Sequence, residues 1–385
     1  MGKKQNLIPA LVFGALAALT VAGLTAQTAA APTQTFNAAV YLDYRYYLSN
    51  AGPVTLKPTD PTTAYLSNQF VFRRAYFTYE NKLSDNLKFR FRLDADNTAN
   101  VTGVTVSGTT VTTKTDDKLR PFIKHLYFEW SNFLVKNLTL RVGMIETLTF
   151  KLSEERWGYR SVAKTLVDGY KDITATDIKS TSADIGVSLG TSLSKYIRIN
   201  GMVSNGAAYS HAENDQYKKF SANVQIIPVA GFSVVGYVDY ERLLPKTAYP
   251  VETKPAAATC KIDALFDKVK GLTLGGEWFV YKNDLYQTSS YVKYDVSGWS
   301  AFGRYILIPD KLNAFARYDS YVPNSENRAK DMSLAIFGLD WAPIHSSLKI
   351  QPNLWVYSYD DGTQYKSTAT SNSDIAFNLT FFLSF

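Results

Sequence analysis

The feature that most constrains how this chain can fold is an alternation of apolar and polar residues, repeated in about sixteen segments of about ten residues each. The clearest segment, 87–96, reads LKFRFRLDAD and places Lys88, Arg90 and Arg92 on the face opposite its apolar side chains. A period of two indicates a β-strand. Strands of soluble domains usually have about five or six residues, whereas about ten residues cross a bilayer at a tilt. The sequence therefore predicts an all-β fold made of membrane-length strands.

The charged face of 87–96 indicates which side of the strands is wet. A Lys or Arg that faces lipid near the membrane midplane costs about 2–4 kcal/mol, so three of them would cost about as much as the stability of a whole domain. We therefore expect Lys88, Arg90 and Arg92 to face water inside the fold. Because an open sheet edge cannot lie in hydrocarbon, the sheet must also close on itself. The predicted fold class is a transmembrane antiparallel up-and-down β-barrel of about 16 strands.

The connections between the segments alternate in length. Short ones such as 83–87 and 308–312 take turns with long polar ones such as 97–121 and 147–182. Outer-membrane barrels have this layout, with short periplasmic turns and longer outer loops. In the longest connection, 147–182, the stretch SEERWGYRSVAKTL predicts a helical turn with Ser153 as its N-cap.

The N-terminal residues 1–30 have the pattern of a secretory signal peptide. Lys3 and Lys4 precede an apolar stretch from 7 to 24, and small residues follow it, which predicts cleavage near 26–30 and export of 31–385 as the barrel. The alternative is a retained membrane anchor, because the apolar stretch is long enough to span a membrane.

The composition of the whole chain excludes two classes of protein. With 46% hydrophobic and 19% charged residues the chain is not a disordered one, and its mean hydropathy of −0.14 excludes a polytopic helical membrane protein.

Three stretches carry a resemblance to a known family: FVFRRAYFTYENKLSDNLKFRFRLDADN (70–97), KHLYFEWSNFLVKNLTLRVGMIETLTF (124–150) and ERWGYRSVAKTLVDGY (155–170). They resemble the phosphate-selective porin O and P family of Gram-negative outer membranes. The resemblance implies a sixteen-stranded trimeric channel in outer-membrane lipid and lipopolysaccharide that passes small anions and other small solutes without a cofactor. It also implies that 147–182 folds inward as a constriction loop. Met144 and Glu146 stand where the family tends to carry Gln and Lys, so the prediction is a mild anion preference, with phosphate selectivity left open.

Basic residues on the predicted inner face and in 147–182 are the candidate pore-lining and solute-binding residues. A charged pore wall can sort ions, as rings of Arg and Lys do for anions. The alternative is a salt-bridged lining that keeps the lumen wet, and for 147–182 an outer loop that contacts lipopolysaccharide or a neighbouring subunit. The candidates are Lys88, Arg90, Arg92, Arg141, Arg156, Arg160, Lys164, Arg198 and Arg317.

Neither an enzyme nor a nucleic-acid-binding protein is predicted. The GVSLG stretch around Ser188 matches a nucleophile-elbow pattern but lies in an alternating strand rather than in a strand–turn–helix unit. The three histidines lack metal-ligand spacing, so no catalytic or metal-binding residue is predicted. The net charge of +7 comes without a basic run of the kind that binds nucleic acid.

The C-terminal segment 374–385, DIAFNLTFFLSF, alternates through its last residue. It looks like the signal that the outer-membrane assembly machinery reads, so Phe381, Leu383 and Phe385 are the predicted assembly signal.

A second function stays open, a sealed barrel that serves as a surface anchor or adhesion platform and displays the Thr-rich segment 97–117. Aromatic residues near strand ends are predicted to form interfacial girdles. They are Tyr46, Tyr47, Trp130, Tyr240, Trp278, Tyr318 and Trp341.

Overall fold

The computed structural model describes most of the chain after residue 32. The described residues are 33–49, 68–96, 100–107, 110–116, 120–169, 178, 181–209, 211–213, 215–243, 256–287, 290–364 and 371–385. The predicted signal peptide, 1–30, lies outside them. No helix within the described ranges is long and apolar enough to cross a membrane.

Sixteen of the strands form one closed antiparallel barrel, which confirms the predicted fold class. Each pairs with its neighbours along the chain, except that β3 pairs with β6 and that β1 closes the barrel against β18. Strands β4 and β5 form a separate two-stranded sheet within the Thr-rich segment. The strands are β1 (Thr33–Ser49), β2 (Asn68–Lys82), β3 (Leu87–Asp96), β4 (Asn100–Ser107), β5 (Thr110–Asp116), β6 (Arg120–Ser131), β7 (Leu138–Glu146), β8 (Ala183–Ser192), β9 (Ile197–Ser204), β10 (Lys219–Val229), β11 (Phe232–Arg242), β12 (Ala256–Phe266), β13 (Leu272–Gln287), β14 (Ser290–Ile308), β15 (Leu312–Val322), β16 (Met332–Trp341), β17 (Leu348–Tyr359) and β18 (Ser373–Ser384).

Burial follows the alternation along the strands. In β18, Asp374, Asn378 and Thr380 are about 1% exposed on the inside, and their neighbours in sequence face outward. The outward face is apolar, as in β10, where Phe220 and Ile226 are 56% and 48% exposed. Because side chains on a strand alternate between its two faces, one period-two pattern gives a polar interior and an apolar exterior at once.

Of the seven residues predicted to form aromatic girdles, six face outward as a girdle requires, and the prediction is wrong for the seventh. Tyr46, Trp130, Tyr240, Trp278, Tyr318 and Trp341 are outward-facing and between 40% and 52% exposed. Tyr47 follows Tyr46 directly in β1, so it lies on the opposite, inner face, and its hydroxyl is buried. The error has a simple cause, because two adjacent residues of a regular strand cannot share a face.

The connection between β7 and β8 carries helix α1 (Lys151–Trp157) and the short helix α2 (Leu166–Gly169). The prediction of Ser153 as an N-cap is wrong, because α1 begins two residues earlier and Phe150 occupies the cap position without a side-chain hydrogen bond. Ser153 lies inside the helix and hydrogen-bonds to Asp263 of β12 at 3.0 Å. Its place is therefore set by a tertiary contact. Two 3₁₀ turns, Arg328–Lys330 and Gly362–Gln364, lie in later connections.

Candidate pore and its inner loop

The described part of 147–182, here called the inner loop, packs against inward-facing side chains of the barrel. Phe150, Trp157 and Leu166 are at most 2% exposed and share one hydrophobic cluster with Phe279 of β13 and Phe315 of β15. The ring centroids of Trp157 and Phe315 lie 6.0 Å apart in an edge-to-face arrangement. Burying a side chain of this kind stabilises by about 1.5–3 kcal/mol, so the cluster holds the loop firmly against the inner wall.

A buried charge cluster on β12 and β13 anchors the start of the inner loop. The ammonium group of Lys261 is fully buried and lies 3.1 Å from Asp263 and 3.0 Å from Glu277. It also donates to the carbonyl oxygen of Thr149 at 3.0 Å. Glu277 in turn accepts a hydrogen bond from the backbone N–H of Leu166 at 2.7 Å. One lysine and two carboxylates therefore connect both helices of the loop to the wall.

Further hydrogen bonds hold the middle of the inner loop on other strands. Arg317 of β15 donates to the carbonyl oxygen of Lys164 at 2.6 Å and lies over the ring of Trp157. The hydroxyl of Ser161 hydrogen-bonds to Gln351 of β17 at 2.7 Å. Arg73 of β2 donates to the carbonyl oxygen of Val162 at 3.0 Å. The loop therefore contacts inner-face side chains of strands that lie far apart around the barrel, from β2 to β12.

An ion-paired triad stabilises the inner loop internally. Arg160 lies 3.0 Å from Glu154 in α1 and 3.3 Å from Asp168 in α2. Burial alone would raise the pKa of Asp168, but the neighbouring positive charges of Lys164 and Arg160 outweigh it and lower that pKa to about 2. Ionised Asp168 therefore keeps the two helices together at neutral pH.

We expect the contribution of Asp168 to persist in mild acid. The folded-state pKa of about 2 lies below the ordinary value of 3.8, so its stabilisation is present above about pH 4 and is lost as the pH falls through about 2. Asp168→Asn should therefore raise current noise relative to the native protein at pH 7 and at about pH 4, with the difference vanishing near pH 2. Single-channel recording as a function of pH measures this. Equal noise in the two proteins at pH 7 would contradict it.

The predicted basic row lies on one wall of the lumen, beside carboxylates. Lys88 and Arg90 lie 3.1 and 3.3 Å from Glu80 of β2, and Arg90 also lies 3.4 Å from Glu146. Arg92 donates to Thr78 at 2.8 Å. Lys88 keeps 38% of its side chain exposed and Arg90 keeps 18%. The row is therefore partly neutralised, and Glu146 is one of the groups that neutralise it.

The other predicted cations differ in how far they are buried. Arg141 and Arg198 remain accessible, the first with 26% of its side chain exposed and 2.6 Å from Glu129, the second exposed on β9. Arg156 is 6% exposed and donates to Ser233 of β11 at 2.8 Å, and Arg317 is 4% exposed. Arg156 and Arg317 therefore hold the inner loop against the wall. Lys164 is half-buried beside Arg317.

Two pairs of adjacent residues face inward although the alternation does not predict it. The pairing of β1 with β2 shifts at Arg73, so Arg73 and Arg74 both reach inner-face carboxylates, Asp43 in one case and Asp94 in the other. The pairing of β3 with β6 shifts in the same way at Lys124, which is buried together with His125. These are β-bulges, which place an extra residue on one strand. The signal for both was two consecutive basic residues in an otherwise alternating strand.

Among the described residues, no group of three or more His, Cys, Asp and Glu side chains is placed to hold a metal ion. Ser188 lies in the middle of β8, paired with β7 and β9, so the strand–turn–helix setting of a nucleophile elbow does not surround it.

No protein-family model and no curated protein matches the sequence. Solved structures of outer-membrane proteins do match the fold over nearly its whole length. The outer membrane channel DcaP of Acinetobacter baumannii has a TM-score of 0.60 at 13% identity, over 92% of this chain and 97% of that one. OmpT of Vibrio cholerae has a TM-score of 0.58 at 11% identity, over 93% and 99%. OmpF of Salmonella typhi, solved with daunomycin, has a TM-score of 0.59 at 9% identity, over 91% and 97%.

The likeness shows the fold alone. That fold is a closed antiparallel barrel, here of sixteen strands. The selectivity, the oligomeric state and the phosphate-selective family are not carried by similarity at these identities.

Proposed function

We propose that this protein is a porin of a Gram-negative outer membrane, through which small hydrophilic solutes and ions diffuse passively. One observation carries the proposal: the buried charged side chains of the barrel face its interior, whereas its outward face is apolar. Such a barrel is stable only with lipid outside and water inside. The inner loop then acts as the constriction, and no bond chemistry or cofactor is involved.

We also propose a mild preference for anions, phosphate among them. The accessible cations of the lumen include Lys88, Arg90, Arg141 and Arg198, and carboxylates beside Lys88, Arg90 and Arg141 offset them in part. Because the carboxylates offset the cations only in part, the lumen raises the local concentration of anions but does not bind a single ion tightly. A homotrimer embedded in lipopolysaccharide and outer-membrane lipid is the expected assembly.

Planar-bilayer recording of the purified protein tests the proposal. We expect heat-resistant, conducting species and a reversal potential in asymmetric KCl that indicates anion preference. A double variant, Lys88→Gln with Arg90→Gln, should shift that reversal potential toward cations, because it leaves Glu80 and Glu146 unopposed. The matched control is Lys218→Gln, which removes a cation from an outer connection. A protein that assembles without conducting would contradict the porin function, and cation preference in the native protein would contradict the selectivity.

A second function, a surface anchor or adhesion platform, is favoured by the separate β4–β5 sheet. An isolated hairpin is marginally stable in water, so a binding partner would stabilise it. If this is the function, deleting 100–116 should abolish surface binding while the barrel still assembles, and the barrel should conduct no current.

A further inference from the structure

The seven connections at one end of the barrel are all short, and all of them are described by the structure. Here they are called the short-turn rim; they join β2 to β3, β6 to β7, β8 to β9, β10 to β11, β12 to β13, β14 to β15 and β16 to β17. Turn positions in water favour Gly, Asn, Asp, Ser and Pro. The turns of the rim contain such residues, but apolar side chains accompany them at every turn.

Each turn of the rim has an exposed aliphatic side chain within it or at the end of the strand before it. Val135, Leu193 and Ile344 are 61%, 63% and 87% exposed, and Leu83, Val269 and Ile308 are 43%, 51% and 49% exposed. A single exposed aliphatic residue is ordinary and needs no explanation. Its recurrence in consecutive turns at one end of a barrel forms an apolar ring, which indicates contact with something other than water.

Basic residues accompany the aliphatic ones. Lys82, Lys136, Lys195, Lys268, Lys270 and Lys311 lie at or beside the turns, and all are exposed. Asp85, Asp267 and Asp310 are the acidic residues of the same turns. The two remaining turns, after β10 and β16, carry Val229 and Ile344 without a lysine. Lys82 is paired with Asp85 at 2.9 Å and Lys311 lies next to Asp310, so the net positive charge of the rim lies in the turns after β6, β8 and β12. The rim is therefore apolar throughout and carries a net positive charge.

The apolar ring continues the outward face of the barrel. Leu193 follows Val187 and Leu189 in the outward series of β8, and Leu83 follows Phe77 in the outward series of β2. A partner protein would contact one sector of the rim, whereas a membrane surface meets every turn alike. The repetition around the ring therefore fits a flat and laterally uniform partner.

We propose that the short-turn rim binds anionic phospholipid of the adjoining leaflet. The aliphatic side chains enter the boundary between headgroups and acyl chains, and the lysines extend to the lipid phosphates, as amphipathic side chains do at membrane interfaces. Each lysine near an anionic membrane surface gains electrostatic attraction. This surface lies outside the lumen, so the proposal does not depend on whether the barrel conducts.

Site-directed spin labelling measures the depth of the rim. In a Cys260→Ser background, the full barrel is folded into vesicles of phosphatidylcholine with about one quarter phosphatidylglycerol. Nitroxides at Val135→Cys and Ile344→Cys should be more accessible to oxygen than to a water-soluble nickel chelate. Their matched controls in the same turns, Lys136→Cys and Ser346→Cys, should show the reverse. Water-exposed labels at Val135 and Ile344 would overturn the proposal.

Lipid composition around the barrel tests the lysines. Barrels excised from the same vesicles in polymer-bounded discs should be enriched in phosphatidylglycerol on the order of twofold over the bulk. A triple variant with Lys136→Gln, Lys195→Gln and Lys311→Gln should lose that enrichment, and a control triple at the other end, Lys218→Gln, Lys282→Gln and Lys330→Gln, should keep it. Equal loss in both variants, or no enrichment in the native protein, would overturn the headgroup assignment. If the nitroxides become less accessible to the nickel chelate only when peptidoglycan fragments are added, the rim binds the cell wall and the lipid proposal is wrong.

Discussion

Replacing Lys261 with methionine should release the inner loop and raise single-channel conductance on the order of twofold, because the narrowest part of a pore limits its current. The change leaves Asp263 and Glu277 as two buried carboxylates without their cation, and breaking a buried pair in this way costs about 3–5 kcal/mol. It also removes the hydrogen bond to Thr149. Planar-bilayer recording measures the conductance, and proteolytic cleavage within 147–169 measures the release.

Two further variants show whether the buried charge causes the effect. Lys282→Met makes the same substitution at an exposed position of β13 and should leave the conductance unchanged. Combining Lys261→Met with Asp263→Asn and Glu277→Gln removes the uncompensated charges and should restore much of the native conductance, since a buried ion pair can be replaced by neutral groups at little cost. Unchanged conductance in Lys261→Met would show that this cluster does not hold the constriction.

Deleting Phe385 should lower the amount of barrel assembled in the outer membrane on the order of tenfold, well beyond its thermodynamic contribution. Its backbone exchanges two hydrogen bonds with Ala38 of β1, at 3.0 and 2.6 Å, where the barrel closes. Two backbone hydrogen bonds contribute about 1–3 kcal/mol, which is small for a barrel of this size. If Phe381, Leu383 and Phe385 form the predicted assembly signal, most of the expected loss comes from weaker recognition of β18 by the assembly machinery.

The matched variant is Phe385→Ala, which keeps the backbone pairing and removes a ring that is 76% exposed. If the ring is recognised, this variant should lose assembly in cells nearly as much as the deletion does, and both should fold normally into vesicles without the machinery. If the backbone pairing of β18 with β1 matters more, only the deletion should reduce assembly in cells, and the deletion variant should also fold poorly in vesicles. Quantifying heat-modifiable barrel in isolated outer membranes gives the answer, and normal levels of both variants would show that Phe385 is ordinary barrel wall.

Much of the fold could be predicted from local pattern. The alternation in 87–96 indicates a strand, and the cost of placing Lys88, Arg90 and Arg92 in lipid indicates which face is wet. Both arguments use residues close together in sequence. Where the alternation breaks, as at Arg73–Arg74, the sequence pattern is compatible with a β-bulge. Only the pairing of β2 with β1 shows that both side chains face inward.

The candidate site could be predicted only in part. Nine basic residues were predicted to contact solute. In the structure, two of them, Arg156 and Arg317, are buried in hydrogen bonds between the inner loop and the barrel wall. The loop itself resembles a constriction loop in sequence, but its anchor is Lys261, about a hundred positions away from Thr149. No spacing rule connects residues that far apart.

The sequence by itself determined a closed barrel of about sixteen strands with a polar interior, because a period of two and the penalty for a charge in lipid act on each strand separately. Only the tertiary structure decided which inward-facing charged side chains stay accessible in the lumen and which hold the inner loop against the wall. Burial of Phe150, Trp157 and Leu166 against strands β13 to β17 brings the inner loop to the wall, and that contact leaves Arg317 and Lys261 buried and paired. The burial of a charge depends on the whole fold, so its role cannot be assigned from neighbours in sequence.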